Sequence, residues 1–231
     1  MSVTPLLQLE NLRQAVGGRA SGTLFDSVSF TIAVGEHVAI VGQRGVGKTQ
    51  LARAVALIQR PDGGRVLLDG QDVTRAWGGR LRSLRRTIQY VGGDARRSLS
   101  PNLALARILA EPLEVHRLGS AAERQALVAA AANGWQLNSF LLSQRANALS
   151  TALCRRVSLA RALLLQPRLL VCDGIADRLE PAAVRPLLQQ VAQTCRAANT
   201  AWLWTTTQRD LAHAFADRVL LLENGRLRPL E

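Results

Sequence analysis

The sequence has few aromatic residues, few cysteines and no long apolar run. Aromatics make up 4% of its 231 residues and are not interleaved with basic stretches, which argues against a stacking platform for single-stranded nucleic acid. No apolar run reaches the roughly 18 residues of a membrane span, and we expect no secretion signal, because no charged leader precedes an apolar segment. The three cysteines, Cys154, Cys172 and Cys195, have no metal-binding spacing, so we expect buried thiols of a reducing compartment.

Lysine is almost absent, and its one position is informative. Lys48 is the single lysine among 29 basic residues, and all the others are arginine. It lies in a stretch that fits G-x-x-x-x-G-K-[ST], the loop that binds nucleotide phosphates. The candidate nucleotide-binding residues are Gly42, Gln43, Arg44, Gly45, Val46, Gly47, Lys48, Thr49 and Gln50. An arginine-rich composition that keeps lysine at this position favours a phosphate loop over an ordinary glycine turn.

The residues around this loop predict the structural context that a phosphate site needs. The apolar run from His37 to Val41 predicts a buried strand before it, and apolar residues at helical spacing predict a helix from Gln50 to Ile58 after it. Glycines allow backbone N–H groups to turn toward the phosphates, and the helix start adds its positive dipole. We expect Lys48 to bind the outer phosphates and the hydroxyl of Thr49 to hold Mg²⁺.

The remaining pattern predicts an α/β domain with a helical insert. Strands are predicted at residues 6–12, 25–32, 65–68, 87–91, 168–173, 201–205 and 218–223. From about residue 95 to 162 the apolar periodicity is helical without strands, and Pro181 opens a later helix that runs to about Arg196. One predicted strand ends at Asp173. We expect this carboxylate to bind Mg²⁺ together with Thr49, because a phosphate loop needs such a distant acid.

The formal net charge of +12 is unusually high and suggests an anionic neighbour. Lipid headgroups, nucleic acid and an acidic partner are the alternatives, with nucleic acid the least favoured of the three. We expect the four arginines between residues 80 and 86 to form a solvated helix face, and we interpret Arg155 and Arg156 in the same way. Contact of these arginines with acidic lipid or an acidic partner is the alternative.

Nearly end to end, the chain resembles the ATP-binding subunits of ABC transporters, most of all those of peptide, nickel and metallophore importers. Residues 98–102, Ser-Leu-Ser-Pro-Asn, are similar to that subfamily's S-L-N-P-R. Residues 108–116 are close to its I-L-A-E-P-L-x-V-H, and residues 155–163 follow its R-Q-R-V-A-I-A-R-A-L. The resemblance runs from about Leu7 to Leu227 and is far more specific than the phosphate loop alone.

This resemblance implies a fold, cofactors and partners. The implied fold for residues 1–231 is a single nucleotide-binding domain of the ABC type, an α/β P-loop NTPase. It has a RecA-like core, an antiparallel β-subdomain and a helical subdomain at about residues 95–162. The resemblance also implies ATP and Mg²⁺ as cofactors, and a dimer of ATPase subunits with ATP sandwiched between them. Transmembrane permease subunits and, indirectly, a solute-binding protein are the implied partners, at the cytoplasmic face of the cell membrane.

The positions that depart from the family pattern are those that carry its hydrolysis. The glutamate that polarises the attacking water is replaced by Gly174, which has no side chain to act as a base. The switch histidine aligns with Thr207. The glutamine that senses the γ-phosphate and links to the membrane subunit aligns with Gly93. We therefore expect no intact catalytic residue among these three positions.

The signature motif and two further segments also differ. The family's L-S-G-G-Q aligns with residues 149–153, Leu-Ser-Thr-Ala-Leu, in which Ser150 remains but both glycines and the glutamine are replaced. Side chains at the glycine positions would obstruct the approach of backbone N–H groups to a partner's γ-phosphate. The adenine-stacking aromatic falls near Val16, which offers no π face. Residues 175–180 place charges where the two halves of a dimer meet.

These departures predict a degenerate subunit that keeps the scaffold and the phosphate cradle. The leading hypothesis is a non-catalytic or weakly catalytic importer subunit that binds Mg·ATP and pairs with a different, competent ATPase subunit. A second hypothesis is a scaffold or regulatory protein of a complex that does not transport, because the glutamine that couples to the membrane subunits is absent. A third, a nucleic-acid-associated ATP-binding protein, rests only on the net charge, and we do not expect nucleic acid as a partner.

Overall fold

The structure, a computed structural model, describes residues 4–15, 22–177 and 179–231, which form two sheets and the helices that pack on them. Val16, the position aligned with the adenine-stacking aromatic, lies outside the described residues. The smaller sheet is antiparallel, with the strand order β2-β1-β4-β5. Its strands are β1 (Leu7–Ala15), β2 (Thr23–Ile32), β4 (Gly63–Leu68) and β5 (Gln71–Asp72).

The larger sheet has six strands in the order β10-β9-β3-β8-β7-β6. They are β3 (His37–Val41), β6 (Ile88–Val91), β7 (Leu169–Asp173), β8 (Ala201–Thr206), β9 (Arg218–Glu223) and β10 (Arg226–Pro229). All neighbouring pairs are parallel except β9 and β10, which form an antiparallel hairpin. The carboxyl ends of β3, β7 and β8 therefore meet at one edge of the sheet, where ligands bind in sheets of this kind.

Eight α-helices of the described residues connect these strands, and four of them, α3 to α6, follow one another between β6 and β7. They are α1 (Lys48–Val55), α2 (Gly78–Thr87), α3 (Leu105–Val115), α4 (Ala121–Gly134), α5 (Ser139–Ser143), α6 (Thr151–Leu163), α7 (Pro181–Ala197) and α8 (Arg209–Phe215). Within residues 92–168, all of which are described, the β structure is limited to one isolated bridge between Ala104 and Arg145. No helix in the described parts of the chain has the length and apolar character to cross a membrane.

Both faces of the larger sheet are covered at its centre, which explains why central strands such as β3 and β7 are nearly continuous apolar runs. On one face, Val41, Cys172 and Trp204 belong to a core that includes α3, α6 and α7. On the other face, Ile40 and Leu203 belong to a second core that includes α1 and the smaller sheet. Every residue of β3 and of β7 is buried, so the strand ends that carry the phosphate loop and the acid are fixed in place.

Two sequence expectations are corrected here. The helix after the phosphate loop ends at Val55 and not at Ile58, because Leu57 adopts a positive φ of 55° and the chain turns. The expectation that Arg155 is solvated is wrong, because this side chain is 0% exposed. The four arginines between residues 80 and 86 do lie on an exposed helix, since α2 has no buried residue.

Candidate nucleotide-binding site

The phosphate loop joins β3 to α1 at the carboxyl edge of the larger sheet. The Gly42 N–H donates to the Thr206 carbonyl at 3.3 Å, which ties the start of the loop to the end of β8. Gly47 caps α1 with a φ of 103°, and Gly45 has a φ of 87°. Both angles lie in the left-handed region that glycine adopts at little cost, so the loop has glycine where its shape requires it.

The loop also passes so close to its neighbours that side chains are excluded. A Cβ at Gly42 would lie 2.6 Å from the carbonyl oxygen of Leu222, and a Cβ at Gly47 would lie 3.3 Å from the ring of Phe25. The first contact is with backbone, which cannot give way without moving β9. The strands around the loop therefore hold its backbone in shape before any phosphate binds.

Lys48 is the first residue of α1, and its side chain lies against the loop. Its Nζ donates to the carbonyl oxygens of Gly42 and Gln43, each at 2.7 Å. Burial lowers the pKa of Lys48 below its usual value, and the nearby carboxylates of Asp177 and Asp173 offset only part of this effect. The amine is thus held at the mouth of the loop and close to two acids, which is where an ammonium can bind the outer phosphates of a nucleotide.

Asp173 ends β7 beside β8 and is only 8% exposed. Its Oδ1 accepts a hydrogen bond from the Thr205 hydroxyl at 2.7 Å, and its Oδ2 accepts one from the Tyr90 hydroxyl at 3.2 Å. Burial, followed by the charge of Asp173, raises the pKa of Tyr90 to about 12, so the phenol remains a donor at neutral pH. Sequence reasoning missed both partners, although the parallel pairing of β7 with β8 places Thr205 opposite Asp173.

A cavity of about 570 Å³, here called the phosphate cavity, brings most of the predicted site residues together. The predicted residues that line it are Arg44, Gly45, Gly47, Lys48, Thr49, Gln50, Asp173, Gly174 and Thr207. Gly42, Gln43 and Val46 line a separate cavity on the other side of the loop. Gly93 does not line the phosphate cavity but an adjoining one of about 590 Å³, which shares Thr49, Asp173 and Gly174 with it.

The donors in the phosphate cavity suit Mg²⁺. This ion takes one or two protein oxygens, with phosphate oxygens and waters completing an octahedron. The Thr49 hydroxyl and the Asp173 carboxylate are oxygen donors of this kind, and the two hydroxyls on Asp173 orient its carboxylate. No group of three or more histidine, cysteine or acidic side chains that could hold a metal occurs in the part of the chain that the structure describes. When bound, Mg²⁺ would neutralise charge on the phosphates.

Gly93 and Gly174, two of the positions at which the resemblance implies a catalytic side chain, lie next to each other. A Cβ at Gly93 would lie 3.2 Å from the carbonyl oxygen of Asp173, so the backbone segments are nearly in contact. Gly174 has a φ of 60°, and its N–H donates to the Thr205 hydroxyl at 3.0 Å. Thr207, the third such position, is exposed and follows the end of β8. Of these three positions, Gly174 and Thr207 therefore line the phosphate cavity, and Gly93 lines the adjoining one.

Ser150, the remnant of the signature motif, has a structural contact of its own. It is the N-cap of α6, and its Oγ accepts the Leu153 N–H at 3.3 Å. Thr151 and Ala152 are the first two residues of that helix. In the alignment expected from the sequence, these two residues stand where the family's signature has glycines, at the point where a helix N-terminus would present its N–H groups to an anion.

Two further residues near the phosphate cavity were not assigned to the site from the sequence. Asp177 lies in the segment expected at a dimer boundary, but it lines both the phosphate cavity and the adjoining cavity. Arg155 on α6 donates hydrogen bonds to the carbonyl oxygens of Gly93 and Gly174. Neither role follows from a local pattern, because both depend on a turn after β7 that brings distant segments together.

A phosphate loop between strand and helix, with an acid at the end of a neighbouring strand, defines a P-loop nucleotide-binding domain. The fold is similar to that of the ATP-binding cassette MJ0796, whose dimeric structure in a post-hydrolysis state contains ADP and Pi. The TM-score is 0.87 at 22% sequence identity, and the similarity covers 97% of this chain and 98% of that chain. At this level of identity the likeness shows the fold alone.

Sequence similarity then identifies the family. The family described as "ABC transporter" matches residues 25–176. A Brucella ovis protein named as a peptide import ATP-binding protein is 31% identical over 228 residues, which cover 98% of this chain and 72% of the relative. A nickel import ATP-binding protein of Pseudomonas putida is 30% identical over 204 residues, covering 88% of this chain and 75% of the relative. The chain belongs to the ABC transporter family, which confirms the resemblance and the fold expected from the sequence.

Proposed function

We propose that this chain is the ATP-binding subunit of an ABC importer of the peptide or nickel class. It binds Mg·ATP in the phosphate cavity, with Lys48 on the outer phosphates and with Thr49 and Asp173 as the magnesium donors. The observation that carries the proposal is the arrangement of these three side chains around one cavity at the carboxyl edge of the sheet. The names of the relatives support the importer class.

The subunit's own hydrolysis is impaired. Gly174 and Gly93 have no side chain to position or polarise a water, and Thr207 has no basic nitrogen. A positioned base contributes typically about 10²–10⁴-fold to a rate, so these replacements leave ATP bound with slow turnover. The intact loop and the missing side chains together support a subunit whose contribution is nucleotide binding.

A different, competent ATPase subunit completes the pair. Two copies of this chain would supply the segment that contains Thr151 and Ala152 at both composite sites, and side chains there obstruct the approach to the γ-phosphate. A partner with an unobstructed signature gives one site in which this chain's loop holds Mg·ATP. Transmembrane permease subunits and, indirectly, a solute-binding protein are the further partners, at the cytoplasmic face of the membrane.

A scaffold or regulatory subunit of a complex that does not transport is the second candidate. It is favoured by Gly93, because the family's glutamine at this position links the nucleotide state to the membrane subunits. Affinity purification of the chain from its native cells separates the candidates. Recovery with two polytopic membrane proteins supports the importer, and recovery with soluble enzymes alone supports the scaffold.

ATP binding by the purified chain is the first test. We expect calorimetry to detect Mg·ATP binding, and we expect Lys48→Ala to lower the affinity at least about tenfold, since a hydrogen bond to a charged group contributes roughly 1.5–3 kcal/mol. Arg60→Ala removes a cation from an exposed position outside the cavity and should leave the affinity unchanged. Robust steady-state hydrolysis that Lys48→Ala abolishes would refute the impaired-site proposal.

A further inference from the structure

The turn after β7 brings a carboxylate back toward Gly174. The Asp177 N–H donates to the Gly174 carbonyl at 3.0 Å, which closes the turn. An ideal Cβ built on Gly174 would lie 3.0 Å from Oδ2 and 3.4 Å from Cγ of Asp177. The Asp177 carboxylate thus occupies the space into which a side chain at position 174 would begin. Glycine at 174 and aspartate at 177 are complementary in this structure.

The same carboxylate faces the nucleotide site. Asp177 lines the phosphate cavity together with Lys48, Thr49 and Asp173, and it also lines the adjoining cavity. Its charge is close enough to Lys48 to offset part of the lowering of that amine's pKa by burial. Since Lys48 and Asp173 bind the outer phosphates and their Mg²⁺ in a loop of this type, a half-buried carboxylate that lines the same cavity lies at the γ-phosphate end of the site.

A buried arginine fixes the turn that presents Asp177. The guanidinium of Arg155, 0% exposed, donates to the Gly174 carbonyl at 3.1 Å and to the Asp177 carbonyl at 3.3 Å. It also donates to the Gly93 carbonyl at 2.8 Å, so one side chain connects the turn after β7 to the segment after β6 at the edge of the cavities. Hydrogen bonds from a charged donor are among the stronger ones available, which makes this connection rigid.

We propose that Asp177 faces the terminal phosphate of bound Mg·ATP and accepts the proton of the attacking water, and that Arg155 positions it. This proposal rests on the proposed function and deepens it, because it names the group through which the remaining slow hydrolysis proceeds. The water oxygen forms a bond to the γ-phosphorus as the bond to the β–γ bridging oxygen breaks. The leaving electron pair goes to ADP, and the water proton goes to the Asp177 carboxylate and then to the phosphate product.

Asp177→Asn tests this role, because it keeps the shape of the side chain and removes its charge and basicity. In single-turnover experiments with the full chain in excess over ATP, we expect at least about a tenfold fall in the rate constant. We also expect the ratio of Mg·ATP to Mg·ADP affinity to rise about three- to tenfold, since a negative charge is removed from the terminal phosphate alone. The affinity ratio reports whether Asp177 lies near the terminal phosphate, and it can be measured without turnover.

Asp94→Asn is the matched control. Asp94 lines the adjoining cavity but not the phosphate cavity, and it pairs with Arg97 at 3.2 Å. We expect this variant to keep both the rate constant and the affinity ratio of the wild type. Equal rate constants in the wild type and in Asp177→Asn, including the case in which neither forms product, overturn the proposal. An unchanged affinity ratio in Asp177→Asn overturns it as well.

The positioning role of Arg155 is tested by a double-mutant cycle. Arg155→Gln should lower the single-turnover rate constant in the wild type but not further in Asp177→Asn, because the arginine acts through that carboxylate. Arg155→Lys keeps the charge and takes the place of Arg155→Gln in the cycle if that variant does not fold. An equal fold-change in both backgrounds overturns the positioning role. Failure of the wild type to bind Mg·ATP would instead refute the proposed function, so the two failures are distinguishable.

Discussion

Arginine occupies two opposite environments in this protein. The guanidinium of Arg155 is enclosed between backbone carbonyls, where a charge is tolerated because it is hydrogen-bonded. The arginines of α2 are exposed on a helix that buries no residue. The net charge of +12 counts both kinds equally, but only the exposed ones can meet an anionic neighbour. Removing Arg155 would therefore alter the nucleotide site and not the surface potential.

His37 gives a prediction about pH and stability. Its ring is fully buried and lies edge-on to Trp202, with the ring centroids 5.4 Å apart. Burial, and next the charge of Arg196, lower its pKa from the usual 6.5. The unfolded chain therefore binds a proton that the folded chain does not, and the free energy of unfolding falls as the pH drops below about 6.5. We expect denaturant unfolding to show lower stability at pH 5.5 than at pH 7.5.

The variant His37→Phe isolates this effect. Phenylalanine keeps a ring against Trp202 but cannot titrate, so we expect a smaller loss of stability between pH 7.5 and 5.5 than in the wild type. Asp217 does not contribute in this window, because its pKa is lowered from an already acidic value. The pKa of His116 is also lowered, and the variant His116→Gln measures how much this residue contributes to the loss of stability between pH 7.5 and 5.5. A pH dependence in His37→Phe equal to that of the wild type would contradict the prediction.

At the scale of elements, the sequence predicts what depends on local pattern and misses what depends on turns. Buried strands such as β3 and the Lys48 loop are predictable because apolar runs and glycine spacing are local signals. The end of α1 is not, because the positive φ of Leu57 has no sequence signature. The contact between Arg155 and the turn at Asp177 has no local signal in the sequence either, since it joins α6 to the turn that follows β7. The missed residues of the site are of this second kind.

The start of α6 gives a prediction at this scale. The Ser150 hydroxyl caps the helix by accepting the Leu153 N–H, so Ser150→Ala should lower the free energy of unfolding by about 0.5–2 kcal/mol. Ser150→Asp should retain most of the stability, because aspartate also caps helices and is favoured by the helix dipole. Chemical denaturation measures both.

Ser100→Ala is the control for this pair of variants. Ser100 is exposed and lies outside the helix starts, and its replacement should change stability by less than about 0.5 kcal/mol. A Ser150→Ala variant as stable as the wild type would show that the serine has no capping role. Ser150 would then contribute to the signature segment and not to the stability of α6.

The whole molecule carries half of each of two composite sites in the proposed pair. One half is the phosphate cavity, with Lys48 and Asp173 in place. The other half is the N-terminus of α6, where Thr151 and Ala152 stand instead of glycines. If the signature segment is obstructed as we propose, a chain that combines it with a complete phosphate cavity suits a pair of unlike subunits better than a pair of like ones. This difference between the two half-sites is a property of the whole chain, because one half lies at the phosphate loop and the other at the start of α6.

Self-association therefore provides the last prediction. We expect the purified chain to sediment as a monomer in Mg·ATP, because each site of a homodimer would place the side chains of Thr151 and Ala152 against the γ-phosphate. The double variant Thr151→Gly and Ala152→Gly removes the obstruction, and we expect it to associate more strongly than the wild type in Mg·ATP. Adding Lys48→Ala to that variant should abolish the gain, because ATP would no longer bridge the two chains. A wild-type chain that dimerises in Mg·ATP as strongly as the glycine variant would contradict pairing with a different subunit.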